Sequence, residues 1–102
     1  MTSGGPKRVP YHAGVRMTRS ARKHGIAADD IRRVLAAPLR TVVQGGERGT
    51  VELHIGLTPR RDLLEVVVAP GDPVVVLHAM RLRPANYRYL ADPPRTVEPQ
   101  RS

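Results

Sequence analysis

The chain has no cysteine, no phenylalanine and no tryptophan among its 102 residues. Without cysteine there are no disulfides, no thiol chemistry and no zinc site built on thiolates. Only Tyr11, Tyr87 and Tyr89 are aromatic, so the core must be aliphatic and base stacking can play only a small part in any nucleic-acid binding. No apolar run approaches the ~18 residues that span a bilayer. The N-terminus has no apolar stretch of the kind a secretory signal needs. A cytoplasmic protein that makes no use of a membrane is expected. Internal repeats, Walker sequences, glycine-rich phosphate loops and helix-turn-helix spacing are absent as well.

Acidic residues are missing from one region in particular. Residues 1–24 hold six cations (Lys7, Arg8, Arg16, Arg19, Arg22, Lys23) and no carboxylate, and residues 80–102 carry a net charge of +3. The middle, residues 25–79, is close to neutral, so nearly all of the net +8 sits at the two ends of the chain. That clustering points to a polyanionic partner. Arginine outnumbers lysine 15 to 2. The bias suits bidentate phosphate recognition, and it follows equally from GC-rich coding.

What is present is a set of short apolar runs. Leu63–Ala69 and Val74–Ala79 are rich in β-branched residues and flank Pro70-Gly71-Asp72-Pro73, which predicts an antiparallel hairpin of inner strands. This hairpin leads into Met80-Arg81-Leu82-Arg83-Pro84, so a rigid sheet delivers two arginines to its rim. Upstream, Thr50–Leu57 alternates, with Val51, Leu53, Ile55 and Leu57 on one face and Thr50, Glu52, His54 and Gly56 on the other, as in a half-buried strand. Leu39–Gln44 reads as a further strand, followed by a Gly45–Gly49 loop, and Thr58–Asp62 as a turn. Ile31, Val34 and Leu35 share one face of a helix over residues 27–37, with Asp29 and Asp30 in its first turn and Pro38 at its end. Thr18–His24 is a short helical turn stopped by Gly25, and Tyr11–Thr18 contains a short edge strand. Beyond Pro84, Ala85–Ala91 forms a short helix.

The expected fold is therefore α+β: a twisted antiparallel β-meander of about four strands, an N-terminal helix packed on one face, and a short C-terminal helix. Residues 15–91 make one domain, with a flexible basic tail over 1–14 and a flexible tail over 92–102.

Several polar residues stand where chemistry is possible. Lys23-His24 precedes a helix start, where it could hold a phosphate and move a proton, or form a solvated basic patch. Glu65 lies inside an apolar strand and is costly to bury ionised unless paired; Arg81 or Lys23 is the expected partner. It reads either as a general base that organises an arginine or as a salt bridge that closes the sheet edge. His78 ends an inner strand as a hydrogen-bonded, half-buried histidine or as a catalyst. A zinc site from His54, His78 and Glu65 matches no ligand spacing, so no metal or other cofactor is expected. Arg81 and Arg83 point the same way if the strand runs through both, and two guanidiniums can then grip one phosphate. Tyr87 packs the last helix on the sheet, or stacks on a base.

Taken together, Arg22-Lys23-His24-Gly25-Ile26, a helix ended by proline, a meander with Ile55-Gly56 before a turn, Leu64-Glu65-Val66-Val67, and Ala79-Met80-Arg81 running into a basic helix with Tyr87 form a layout that resembles the BrnT-type toxins of bacterial toxin–antitoxin systems. The resemblance covers roughly residues 16–90. It implies a RelE-like fold and an endoribonuclease that arrests translation, acting on messenger RNA, on or off the ribosome, and blocked by a cognate antitoxin protein with which it assembles. The residues that match the family's runs are Lys23, His24 and Arg81. The family's aromatic and acidic opening is replaced here by Arg16-Met17-Thr18-Arg19-Ser20. The expected chemistry is metal-independent attack of a ribose 2′-hydroxyl on the adjacent phosphate. Lys23, His24, Glu65, His78 and Arg81 are the candidate catalytic residues, and Arg19, Arg22, Arg83, Tyr87 and Arg88 the candidates for holding RNA. The alternative is a non-catalytic basic module that binds RNA or an acidic protein.

Overall fold

The computed structural model describes residues 14–46 and 49–91. The expectations for the two tails, Gly14 aside, and for Tyr11 fall outside these residues. The chain forms an α+β fold around one mixed sheet of five strands in the order β1-β5-β4-β3-β2. Its elements are β1 (Val15–Met17), α1 (Arg19–Arg22), α2 (Ala28–Ala36), β2 (Arg40–Gly46), β3 (Gly49–Leu57), β4 (Leu63–Ala69), β5 (Val74–Arg81), a 3-10 turn (Pro84–Asn86) and α3 (Arg88–Ala91).

Strands β2 to β5 form the expected antiparallel meander. The purely antiparallel four-strand sheet is corrected by β1, which adds a fifth strand parallel to β5 with Val15 opposite Val74 and Met17 opposite Val76. This is the short edge strand expected within Tyr11–Thr18; its parallel pairing with a partner about 60 residues away is a tertiary event that no local pattern announces. Thr18 then ends β1 and starts α1. Its N–H and its hydroxyl both donate to the Val76 carbonyl, at 3.1 and 2.9 Å, and its Oγ1 accepts from the Ala21 N–H at 3.1 Å as an N-cap. Gly25, at φ 71°, stops this turn in the left-handed region as the sequence predicted.

α2 lays Ile31, Val34 and Leu35 onto Leu64, Val66, Val68, Val74, Val76 and Ala79, and Ala21 of α1 joins the same cluster. Each fully buried aliphatic side chain contributes about 1.5–3 kcal/mol. The unbroken apolar runs of β4 and β5 call for cover on both faces, and the centre of the sheet has it, although only the helix on one face was expected as a layer. On the side away from α2, Leu53, Ile55 and Leu82 form a second cluster with Val42, Leu63, Val67, Tyr89 and Leu90. The Arg40 guanidinium locks this layer, donating to the carbonyls of Tyr89 (3.2 Å) and Leu90 (3.4 Å) in α3.

The alternation in β3 is correct in register but not in what it implied about solvent. His54 and Gly56, on the face read as open, are buried. The reason is the close approach of α2: a Cβ at Gly56 would lie 3.1 Å from Val34 Cγ1 and 3.4 Å from its Cα. Gly56→Ala therefore crowds both methyl groups of the fully buried Val34, at 3.1 and 3.3 Å. It should lower stability by about 1–3 kcal/mol, read as a lower urea midpoint with an unchanged m-value.

Candidate functional site

Glu65 is fully buried, with 0% of its surface exposed. It sits on the sheet face opposite α2, beside Ile55 on β3 and Met80 on β5. The cost of placing a carboxylate there is offset by the segment after β5. Leu82 docks by donating its N–H to the Leu63 carbonyl at 2.9 Å, and this folds the next residues over Glu65. Oε1 accepts from the Arg83 N–H and from Asn86 Nδ2, both at 2.9 Å. Oε2 accepts from Arg83 Nε at 2.9 Å and lies 2.7 Å from Arg83 Nη2. His78 Nε2 completes the set at 2.9 Å from Oε2. Burial by itself raises the carboxyl pKa. The Arg83 side chain and N–H, Asn86 and His78 outweigh it and bring the group from 4.5 down to about 2.

An ionised carboxylate only accepts hydrogen bonds, so His78 Nε2 carries the proton in this pair. In the neutral imidazole Nδ1 is then left with its lone pair, which is the requirement for a base. His24 lies beside it, with ring centroids 6.0 Å apart and planes at 74°. Its position comes from the α1–α2 turn, where Gly25 N–H closes onto the Arg22 carbonyl at 3.2 Å. Arg83 spends one edge of its guanidinium on Glu65, while its side chain remains 51% exposed. Its remaining donors are available to an anion. The buried Glu65 carboxylate thus holds the His78 imidazole and the Arg83 guanidinium, and the His24 ring stands beside that of His78.

Not every residue singled out in the sequence joins this cluster. His24, Glu65, His78 and Arg83 do. Arg81 does not: the register puts it on the α2 face opposite Leu64, where it lies 3.7 Å from Asp62 and is 72% exposed. The strand ends at Arg81, the chain turns at Leu82, and the paired grip of Arg81 and Arg83 on one phosphate is not formed. The expected partners of Glu65, Arg81 and Lys23, are replaced by Arg83, His78 and Asn86. Lys23, Arg19 and Arg22 are exposed along and just after α1. Tyr87 is 53% exposed rather than packed on the sheet, and Tyr89 takes that place. Arg88 is held over the Tyr89 ring, 4.9 Å from its centroid, and donates to its hydroxyl at 3.1 Å.

His54 is separate from all of these. It stands on the α2 face with Nε2 3.0 Å from Glu52 Oε1 and Nδ1 3.3 Å from Thr41 Oγ1, so the trio His54, His78 and Glu65 is split across the sheet. Among the described residues no three His, Cys, Asp or Glu side chains are grouped as metal ligands. Asn86 is the participant that sequence reasoning missed. Its one signal is an amide side chain three residues past Arg83, in a turn opened by Pro84.

A cleft of about 390 Å³ begins next to His24, on the α2 side, between Gly25–Ala27 and the β3–β4 turn. Arg60 and Arg81 stand at its walls with Asp30 and Asp62. Among the described residues no helix is long and apolar enough to cross a membrane. Comparison with protein-family models, with curated proteins and with solved structures finds nothing that matches this chain.

Proposed function

We propose that this chain is an endoribonuclease of the BrnT and RelE toxin kind, cleaving messenger RNA without a metal, in the cytoplasm, and held in check by an antitoxin protein. The observation that carries the reading is the pair of imidazoles, His24 and His78, beside the half-exposed guanidinium of Arg83, with the Glu65 carboxylate fixing His78 from behind. In this scheme His78 Nδ1 takes the proton of the ribose 2′-hydroxyl. The oxygen attacks the adjacent phosphorus, Arg83 offsets the charge that builds on the phosphorane, and His24 in its protonated form gives a proton to the departing 5′-oxygen. The products are a 2′,3′-cyclic phosphate and a 5′-hydroxyl. Glu65 holds and orients His78 and stays ionised throughout. The exposed cations of α1, Arg19 and Arg22, with Lys23 after them, supply the approach for the RNA backbone.

The test is RNA cleavage by the purified chain in EDTA, with naked RNA and with translating ribosomes, and mapping of the product ends. Fragments ending in cyclic phosphate are expected. Intact RNA on both substrates rules the reading out. If the RNA is nevertheless bound, with affinity falling steeply as salt rises, the same α1 cations support the second reading, a non-catalytic RNA-binding module.

A further inference from the structure

The two edges of the sheet are finished in opposite ways. At one edge β1 is only three residues long and carries the exposed Arg16, and α1 takes over along β5 where β1 stops. Short length, a charged side chain and a covering helix are the usual defences of a sheet edge. At the other edge β2 runs for seven residues, and among the described residues it pairs with β3 alone. Its one charged residue, Arg40, points its guanidinium inward to the carbonyls of Tyr89 and Leu90. The rest, Thr41-Val42-Val43-Gln44-Gly45-Gly46, has no charge and no proline. Val43 is 65% exposed and Leu39, just before the strand, is 46% exposed.

We propose that β2 is a self-association edge, on which the β2 of a second copy of this chain adds antiparallel to give a continuous ten-stranded sheet. The register follows from the strand itself. Val43 is the central residue of Arg40–Gly46, so a two-fold axis there sets Val43 against Val43 and Val42 against Gln44. Cross-strand pairing of β-branched side chains is favourable, and the outward backbone groups of both strands find partners. A tail of the same chain fits the edge poorly. Residues 92–102 carry Pro93, Pro94 and Pro99, which donate no N–H. Residues 1–13 lead into β1, four strands away, or about 19 Å at ~4.8 Å per strand. Charge also favours a second copy over an acidic peptide here. The pairing segment 41–46 is neutral, and the cations of α1 lie at the opposite edge, beyond the ~8 Å screening length at physiological salt. The His24–His78 clusters stay open at the outer ends of such a dimer, and the proposal is independent of the ribonuclease reading.

The absence of cysteine makes the test direct. Full-length wild-type protein should sediment as a dimer, and Val43→Lys should sediment as a monomer with an unchanged far-UV spectrum. Val43→Cys, oxidised in dilute solution, should yield a disulfide-linked dimer, because antiparallel neighbours at ~4.5–5.5 Å between Cα atoms lie within disulfide range. Arg32→Cys, exposed on α2 away from the edge, should not. A wild-type monomer at every concentration tested, a dimer that survives Val43→Lys, or cross-linking equal at positions 32 and 43 overturns the proposal.

Discussion

Glu65→Ala is expected to lower the stability of the fold by about 3–5 kcal/mol, enough to leave much of the protein unfolded at 37 °C. The substitution takes away the acceptor on which Arg83 N–H, Arg83 Nε, Asn86 and His78 all converge. It leaves a void among Ile55, Met80 and the 3-10 turn, and it releases the segment that carries Leu82, Tyr89 and Leu90 into the second core cluster. Glu65→Gln keeps the shape but turns an amide NH2 toward donors, so it should also destabilise, by about 2 kcal/mol or more. The same carboxylate sets an acid limit. Its folded pKa, about 2, is below its ordinary value of 4.5, so its contribution is complete above about pH 4.5 and is lost as pH falls towards 2. A shift of that size corresponds to about 3 kcal/mol over that window. Urea midpoints measured at pH 6 and pH 3 should therefore fall for wild type and fall much less for Glu65→Gln. Equal acid sensitivity in the two proteins would show that Glu65 is not the group that titrates.

The second large effect concerns activity. His78→Ala and His24→Ala should each reduce RNA cleavage by about 10²- to 10⁴-fold, the usual contribution of a positioned acid or base. His24 is exposed, so its removal should leave stability within about 0.5 kcal/mol of wild type and isolates the chemical effect from folding. The double variant should lose less than the product of the single losses, because the two imidazoles act on one transition state. Arg81→Ala, on the other face of the sheet, should fall well short of either loss. If Arg81→Ala abolishes cleavage while His78→Ala is silent, the reaction takes place in the Arg60–Arg81 cleft and not at the Glu65 cluster.

Local pattern alone settled a good part of this protein. β-Branched runs between prolines and glycines placed the central hairpin, helical spacing placed Ile31, Val34 and Leu35 on one face, and the lone Glu65 in an apolar strand announced that a partner had to exist. These are properties of neighbouring residues, and periodicity and turn chemistry read them directly. The identity of that partner was not legible. Arg83 reaches Glu65 only because the strand ends at Arg81 and Leu82 docks beneath the chain, which reverses the direction an uninterrupted strand would have given it. Arg81 and Lys23 were equally plausible from spacing. Likewise the parallel docking of three-residue β1 on β5, the burial of Gly56 beneath Val34 and the 6.0 Å approach of His24 to His78 join segments far apart in the chain. Such contacts depend on how layers close over one another, and no local sequence signal encodes that. The sequence determined which groups were costly to bury and therefore needed partners; the tertiary structure decided which partners lay within hydrogen-bonding distance.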